Sequence, residues 1–553
     1  MTIRSSSAAW VVALGVLTAL LYFHDLGSSP PYLSIEEVSQ ARDAVAFAAT
    51  GRDMDGRLLP LYFPEPGSPL GREPLFIYLS AALLQIVPFS EAAARAPSAA
   101  AGLLDVLLMF VVARNIFGRP ALAATAAGLL MLTPVHFLQS RIGTQPIGTV
   151  TCVLGWLALV TGFFESGRTC RLFAATMCLG VGMYTYNGGF LMMPVYFALT
   201  LLVAWRRPID DRKAALQAAI GGYLCVVLPL FAWYVIHPER VTQLAGYYTH
   251  GEYNKDMGST GFTGGGAIAH LDTWWQCFNP DKLFFSGDAD LRFSTRGAGY
   301  LLLPLAVPMI AGVSYMSRLL SKDVAFVVGG GLLLSPLAAA FVSNGDMKRW
   351  LPFLPFAIIV STAGIEYLRA GGRRVVEACA IGILLIARWL TPLASPLLLA
   401  AFVTQWTFAA RRRAGYVCVA ALTLLGALQM SRYLSDYFGA YRIESSGYYG
   451  GNLRGAIRQA IANSAPGDCV RLDKRVYYLQ DQWDLYTRAY NRLDLAQRTF
   501  WFDAAGGDEP PASCRGVTTV GDVDDTRFST WRKTPIPELN GSVRLAVYRS
   551  DAP

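Results

Sequence analysis

The sequence predicts an α-helical, polytopic membrane protein with a small α/β domain at its C-terminal end. Three observations predict it. Hydrophobic residues make up 53% of 553 residues, charged residues only 16%, and the mean hydropathy is +0.36. That balance excludes a disordered chain and is foreign to an ordinary soluble enzyme. Apolar runs of about 18 or more residues recur, each long enough to span a bilayer. Arg and Lys concentrate in the short loops between these runs, as the positive-inside rule requires. The net charge of +8 is therefore a membrane signature, and no nucleic-acid partner is expected.

Taken in order, the first run, 8–24, follows Arg4 and carries no small-residue cleavage site. It reads as an uncleaved first helix with a cytoplasmic N-terminus. Segment 25–95 is an outer loop containing Pro30, Pro31, Pro64, Pro66 and Pro69 and two helical stretches, 35–50 and 73–89. The second stretch is apolar but only about 16 residues long, short enough either to cross or to lie in the interface. Later loops decide. If 73–89 does not cross, then Arg114, Arg119, Arg168, Arg171, Arg206, Arg207, Arg212, Lys213, Arg318, Lys322, Arg369, Arg373, Arg374 and Arg411 to Arg413 all fall in the cytoplasm. If it crosses, all fall outside.

The non-crossing choice gives about 13 spans of membrane-crossing length. They lie near 8–24, 96–114, 120–138, 146–165, 171–188, 190–205, 215–236, 298–316, 324–342, 350–368, 375–389, 392–409 and 414–431. No repeat period is evident. An odd number of spans puts the C-terminus outside. Hydrophobic character ends near Arg432, which divides the chain into a membrane domain, 1–431, and a polar domain, 432–553. The latter shows helical patterns at 451–463 and 477–492 and strand-like runs at 469–473, 517–520 and 543–548. Its two cysteines, Cys469 and Cys514, lie in an oxidising compartment on this topology, where an isolated pair is expected to bond.

The polar chemistry gathers in four outer segments, 25–95, 139–146, 237–297 and 343–349. Charges beside a bilayer are costly and mark functional sites, although each singly can be a solvated loop residue. In YLSIEEVSQARD, Ser34 and Glu37 have the spacing of a capping box, and acids in a first helical turn complement the dipole. The sharper reading makes Glu36 or Glu37 a base at the mouth of a membrane cavity, placed to deprotonate a hydroxyl. Trp274 and Trp275 can form an interfacial belt or a sugar-stacking platform, and Tyr184 and Tyr186 an anchor or a pocket wall. Lys348 and Arg349 open a helix on the side where cations should be scarce. They suggest a phosphate site, the alternative being a salt bridge to Asp346. The nine cysteines and five histidines contain no CxxC, HxH or HExxH, so no metal signature is present.

These segments, taken together, resemble the GT-C glycosyltransferases of the protein O-mannosyltransferase and aminoarabinose transferase superfamily. Aligned on Gly51, Glu36 and Glu37 stand where that superfamily has an acidic pair. Arg72-Glu73-Pro74-Leu75 stands at its basic-Pro-Pro-Leu helix, and Ala94-Arg95-Ala96-Pro97-Ser98 at the turn that follows. Segments 133–146, 180–194, 274–304 and 345–356 resemble later motifs in the same order, over about 360 residues in all. The resemblance covers none of the tail.

The resemblance implies a GT-C fold in which 73–89 lies along the membrane surface. It also implies an inverting enzyme at the outer face of the cytoplasmic (inner) membrane. Such an enzyme moves a sugar from a polyprenyl-phosphate donor to a lipid, glycan or protein acceptor. Glu36, with Glu37, would be catalytic. Arg72, Lys348, Arg349 and Arg292 would bind the donor phosphate, and Arg141, Gln145, Tyr184, Tyr186, Trp274 and Trp275 would line the substrate pocket. Two departures stand out. Glu36 occupies the usual aspartate position, and the second outer loop offers Gln145 where an acid is usual. A divalent cation prefers carboxylates, so the sequence supports no metal or other cofactor. The alternatives are a lipid-linked glycan transporter or flippase, disfavoured by the missing repeat and the few mid-helix charges, and a surface-polysaccharide polymerase or ligase.

Overall fold

The computed structural model describes residues 5–64, 71–207, 211–239, 241–242, 264–341, 345–370, 381–386 and 411–550. In lipid an apolar segment must satisfy its own backbone N–H and C=O groups, and the helix does so locally. Among the described residues seven helices are long and apolar enough to cross a membrane: Glu91–Phe117, Ile147–Ser166, Gly189–Arg206, Arg212–Ile236, Lys322–Phe341, Phe353–Ala370 and Gly415–Phe438. An eighth is the pair Pro120–Met131 and Pro134–Ser140, bent by 65°. Pro134 opens the second half of that pair, where a ring in place of an N–H starts a helix but cannot continue one. The protein is a multi-pass membrane protein.

The described residues do not establish the expected count of about 13 spans of crossing length. The runs at 8–24, 171–188 and 298–316 become the shorter apolar helices Ser7–Phe23, Thr169–Gly182 and Leu303–Leu319. Within 375–389 only the helical residues 381–386 are described, and 392–409 lies outside the described residues. Stretch 73–89 yields an eleven-residue helix, Pro74–Leu84. At 1.5 Å per residue it rises about 16 Å, half of the roughly 30 Å that a span needs. It packs through Ile77 and Ala81 on Ala44 and Phe63 of the outer loop.

The C-terminal part holds a six-stranded sheet in the order 506–507, 499–503, 469–473, 517–522, 543–550, 532–537. Cys469–Asp473 is parallel to both neighbours, and the remaining pairings are antiparallel. Helices Leu453–Asn463 and Leu479–Ala489 bury Leu453, Ile457, Leu479 and Trp483 against Val470, Leu472, Val520 and Val547 of the sheet. All three strand-like runs are strands. Thr499–Asp503 and Arg532–Pro537 were not expected: the first is five residues of mostly aromatic sequence, and the second carries Pro535 and Pro537. Proline is tolerated there because the strand lies at the sheet edge. Packing with the membrane domain continues past Arg432. Tyr433, Tyr437, Tyr441 and Tyr449 pack into the membrane core, and the tail's own core begins at Leu453.

The tail docks on segment 25–95. Leu485 packs with Leu33, Val38, Ala41 and Ala94. Arg42 meets Asp481 at 2.6 Å, and Glu91 receives Arg454 at 3.4 Å, Arg458 at 3.2 Å and the Tyr486 hydroxyl at 2.9 Å. Residues expected in the cytoplasm pair among themselves instead: Arg119 with Glu366 at 2.5 Å, and Arg207 with Asp323 at 3.5 Å.

Cys469 and Cys514 form a disulfide with Cα atoms 5.6 Å apart at a sequence separation of 45. In the chain-entropy model a loop of that size stabilises the fold by about 3–4 kcal/mol. Denatured, unreduced protein should expose seven reactive thiols, since two of its nine cysteines are bonded. A labelling count of nine would exclude the bond.

Candidate active site

Helix Ile35–Thr50 begins with a complete capping box. The Ser34 hydroxyl accepts the Glu37 N–H at 3.3 Å, and the Glu37 carboxylate accepts the Ser34 N–H at 2.8 Å. The chain direction fixed by this cap sends two consecutive acids to different places, because adjacent helical residues point about 100° apart.

Glu37 turns inward and is fully buried. Arg95 holds it at 2.7 Å and 3.3 Å, and the Gly143 N–H donates to it at 2.7 Å. The same guanidinium donates to the carbonyls of Leu26 (3.0 Å), Pro30 (2.7 Å) and Tyr32 (2.5 Å). A Cβ at position 143 would come within 2.9 Å of the Ala94 carbonyl, so the close approach there requires glycine. Glu37 was expected to share a catalytic role. It lies outside the cavity, and its oxygens are committed to these partners.

Glu36 turns outward into a cavity of 210 Å³. Six segments build its wall: Ser34, Glu36 and Gln40 at the start of the capped helix; Gly71 and Arg72; Gln139, Ile142, Thr144, Gln145 and Pro146; Tyr186 and Asn187; Arg292 and Phe293; and Lys348 and Arg349. The Glu36 side chain is 36% exposed. Arg292 Nη1 reaches both of its oxygens at 3.1 Å, and Lys348 Nζ stands 3.8 Å away. Arg292 is itself aimed by Asp290, at 2.7 Å and 3.1 Å. Lys348 sits 5.0 Å over the Phe293 ring, a cation–π contact that limits where its head can go.

Burial alone would raise the Glu36 carboxyl, but the charges of Lys348, Arg292 and Arg72 outweigh it and hold the group below the usual carboxylate range. Glu36 is therefore ionised at neutral pH. Four cations line the cavity with this one carboxylate, an excess of positive charge that suits an anionic ligand with several oxygens. Beside Arg72, Glu73 is fully buried. Burial pushes its carboxyl up to about 8, against the opposing pull of its own backbone N–H, of Arg72 and of the Asn187 N–H. Among the described residues no group of three or more His, Cys, Asp or Glu could hold a metal ion.

The structure brings Glu36, Arg72, Gln145, Tyr186, Arg292, Lys348 and Arg349 together. Four other expected residues lie elsewhere. Arg141 is buried and donates to the carbonyls of Leu21, Tyr22 and Ser29 and to the Tyr437 hydroxyl, at 2.8–3.2 Å. Tyr184 donates to the Val226 carbonyl at 2.7 Å. Trp274 donates to the Leu333 carbonyl at 3.0 Å, and Trp275 is 70% exposed. All four lie outside the residues that line the cavity. Gln40, Gln139, Thr144, Asn187 and Phe293 line the cavity but were missed. One signal was available: Gln40 stands four residues after Glu36, on the same helical face.

Residues 68–233 match the family model described as dolichyl-phosphate-mannose-protein mannosyltransferase. No curated protein matches the sequence. Among solved structures, ArnT from Cupriavidus metallidurans bound to undecaprenyl phosphate is similar over 99% of this chain and 99% of its own, with 15% identity and a TM-score of 0.59. Its apo state is similar over 99% and 100%, with 16% identity and a TM-score of 0.58. An oligosaccharyltransferase from Archaeoglobus fulgidus, tethered to an acceptor peptide containing the NVT sequon, is similar over 100% of this chain and 75% of its own, with 12% identity and a TM-score of 0.51. The chain has the GT-C fold, with a small sheet domain at its C-terminal end.

Two outcomes follow from the buried acids. Arg95→Ala strands the Glu37 charge and should cost about 3–5 kcal/mol. Adding Glu37→Gln should recover part of that loss in a denaturation midpoint, and a single variant as stable as wild type would show that the pair anchors nothing. An acid whose carboxyl rises on folding loses stability as pH increases, beginning above its unfolded pKa of about 4.3 and ending near 8. Glu73→Gln should flatten the fall in melting temperature between pH 5 and pH 8. An unchanged slope would assign that fall to other groups.

Proposed function

We propose that this protein is a GT-C glycosyltransferase that moves a sugar from a polyprenyl-phosphate donor to an acceptor hydroxyl at the outer face of the cytoplasmic membrane. The observation that carries this reading is the cavity's composition. One ionised carboxylate, Glu36, faces into it, surrounded by Arg72, Arg292, Lys348 and Arg349. Two neighbours in kind support the donor class. The matched family model is named for a dolichyl-phosphate sugar, and ArnT was solved with undecaprenyl phosphate bound.

The chemistry asks for two things. The leaving phosphate needs cations, which Arg72, Lys348 and Arg349 supply by charge-assisted contacts. The acceptor hydroxyl needs a base, for which Glu36 is placed. The acceptor oxygen then attacks the anomeric carbon as its proton passes to Glu36. The bond from that carbon to the phosphate oxygen breaks, and its electron pair leaves with the phosphate. A single displacement of this kind inverts the anomeric centre.

With Arg292, Lys348 and Arg72 around it Glu36 is a poor base, because these cations stabilise its charged form. A donor phosphate competes for the same cations. As Arg292 and Lys348 turn toward it, Glu36 regains basicity at the moment a base is needed. The active groups and the tail would share the outer side, with the paired Arg119 and Arg207 at the cytoplasmic end.

Glu36→Gln keeps the size and removes the basicity, so transfer should fall about 10²-fold or more. The same variant should bind undecaprenyl phosphate at least as tightly as wild type, because the competing carboxylate is gone. Near-normal transfer would remove Glu36 as the base. Arg349→Ala should weaken undecaprenyl-phosphate binding by about tenfold or more, the worth of a charged hydrogen bond. Unaltered affinity would take the phosphate away from this cavity.

A further inference from the structure

A second cavity, of 370 Å³, lies between the membrane domain and the tail. It meets the first at one side chain: Arg292 lines both. Its floor is the start of the capped helix, where Ile35 precedes Glu36. Its far wall is the turn 447–450 and the segment that opens helix Leu479–Ala489, contributing Tyr448, Tyr477, Tyr478 and Gln482.

Two of these tyrosines offer open ring surface: Tyr477 is 75% exposed and Tyr448 is 41% exposed. Neither ring is loose. Arg296 donates to the Tyr448 hydroxyl at 3.0 Å, and its guanidinium lies 5.8 Å from the ring centre. Tyr477 meets the edge of Tyr478 at 4.5 Å between ring centres. Tyr478 has φ +63°, a left-handed conformation that a bulky residue adopts at a cost and that marks functional positions.

The charge balance narrows the ligand. Among the described residues the charged groups lining this cavity are Asp290 and Arg292, and they pair with each other at 2.7 Å. No net charge is left to recruit a phosphate or a carboxylate. What remains is aromatic faces, aliphatic floor and neutral polar groups, the lining of a site that orients an uncharged polar molecule. A sugar ring has that character, with C–H faces for the tyrosines and hydroxyls for Gln482 and the phenols.

We infer that the acceptor is a saccharide, bound as an uncharged sugar ring on Tyr477 and Tyr448, with its reacting hydroxyl reaching Glu36 past Arg292. This rests on the transferase reading above and gives it an acceptor class. The tail then has a role of its own, since it supplies Tyr477, Tyr478 and Gln482.

The test uses full-length protein in nanodiscs and saturation-transfer NMR. The probes are the methyl glycosides of glucose, galactose, mannose, N-acetylglucosamine and arabinose. At least one should bind, and its affinity should fall tenfold or more in Tyr477→Ala and in Tyr448→Ala. Tyr477→Phe, which keeps the ring, should retain most of it, and methyl glucuronide should bind no tighter than methyl glucoside. The exposure of Tyr477 lets Tyr477→Ala fold, which its melting temperature checks. No binding by any glycoside, equal binding in the alanine variants, or tighter binding of the glucuronide would each overturn the inference. So would loss in these variants of binding by a Ser/Thr-rich peptide rather than a sugar. Undecaprenyl-phosphate affinity, measured on the same samples, keeps the two readings apart. If Arg349→Ala leaves that affinity unchanged while the tyrosine dependence holds, the donor reading fails and the sugar site stands; the reverse result fails the sugar site alone.

Discussion

The ion pair between Glu37 and Arg95 is the constraint on which the cavity-bearing half of the molecule depends. A buried carboxylate left without partners is intolerable in a low dielectric, so its partners must be present and in place. They come from three separate stretches of chain: the cap at Ser34, the helix at Arg95 and the loop at Gly143. Through Arg95 the pair also gathers the carbonyls of Leu26, Pro30 and Tyr32. Three carbonyls of segment 25–95 are thus satisfied by one guanidinium, and Glu36 inherits a defined direction as the neighbour of a residue pinned by Ser34, Arg95 and Gly143. One member of the acidic pair is a structural pin, and the other is left free to face a ligand.

The tail extends the same logic outward. Arg42, on the capped helix, reaches Asp481, and Glu91, two residues before Ala93 and one turn before Arg95, is met by Arg454, Arg458 and Tyr486. Surface ion pairs are weak as single contacts, but Glu91 is 6% exposed and the apolar cluster around Leu485 lies beside it. The polar domain is therefore packed onto the loop that carries Glu36, and its placement is continuous with the packing of the cavity.

Much of this was legible from the chain. The apolar runs gave the class of protein, and the ordered motifs pointed to Glu36, Arg72, Arg292, Lys348 and Arg349, which line one cavity. The cap at Ser34 and Glu37 was also visible, yet spacing could not say that Glu37 would be consumed by a partner 58 residues away. Arg141 failed for the same reason: its hydroxyl partner, Tyr437, lies 296 residues off. Neutral polar residues such as Gln139 and Asn187 leave no trace in charge or hydropathy. The number of spans was not legible, because an apolar run does not show how much of it the helix will take: 8–24 and 171–188 hold the shorter helices Ser7–Phe23 and Thr169–Gly182.

The eleven-residue helix Pro74–Leu84 has a mechanical consequence. It is too short to cross and apolar enough for the interface, and on the proposed topology it would lie at the level of the lipid headgroups. Arg72 is fixed just ahead of its first turn, in the cavity wall. The spanning helices set the height of the other wall, so the vertical offset between Arg72 and Lys348 answers to the thickness of the bilayer. Such mismatch costs fractions of a kcal/mol per Å, small against folding but comparable to the differences that tune a binding site. The surrounding lipid is in this sense a component of the cavity's geometry, and bilayers of different chain length would hold the same amino acids in differently proportioned sites.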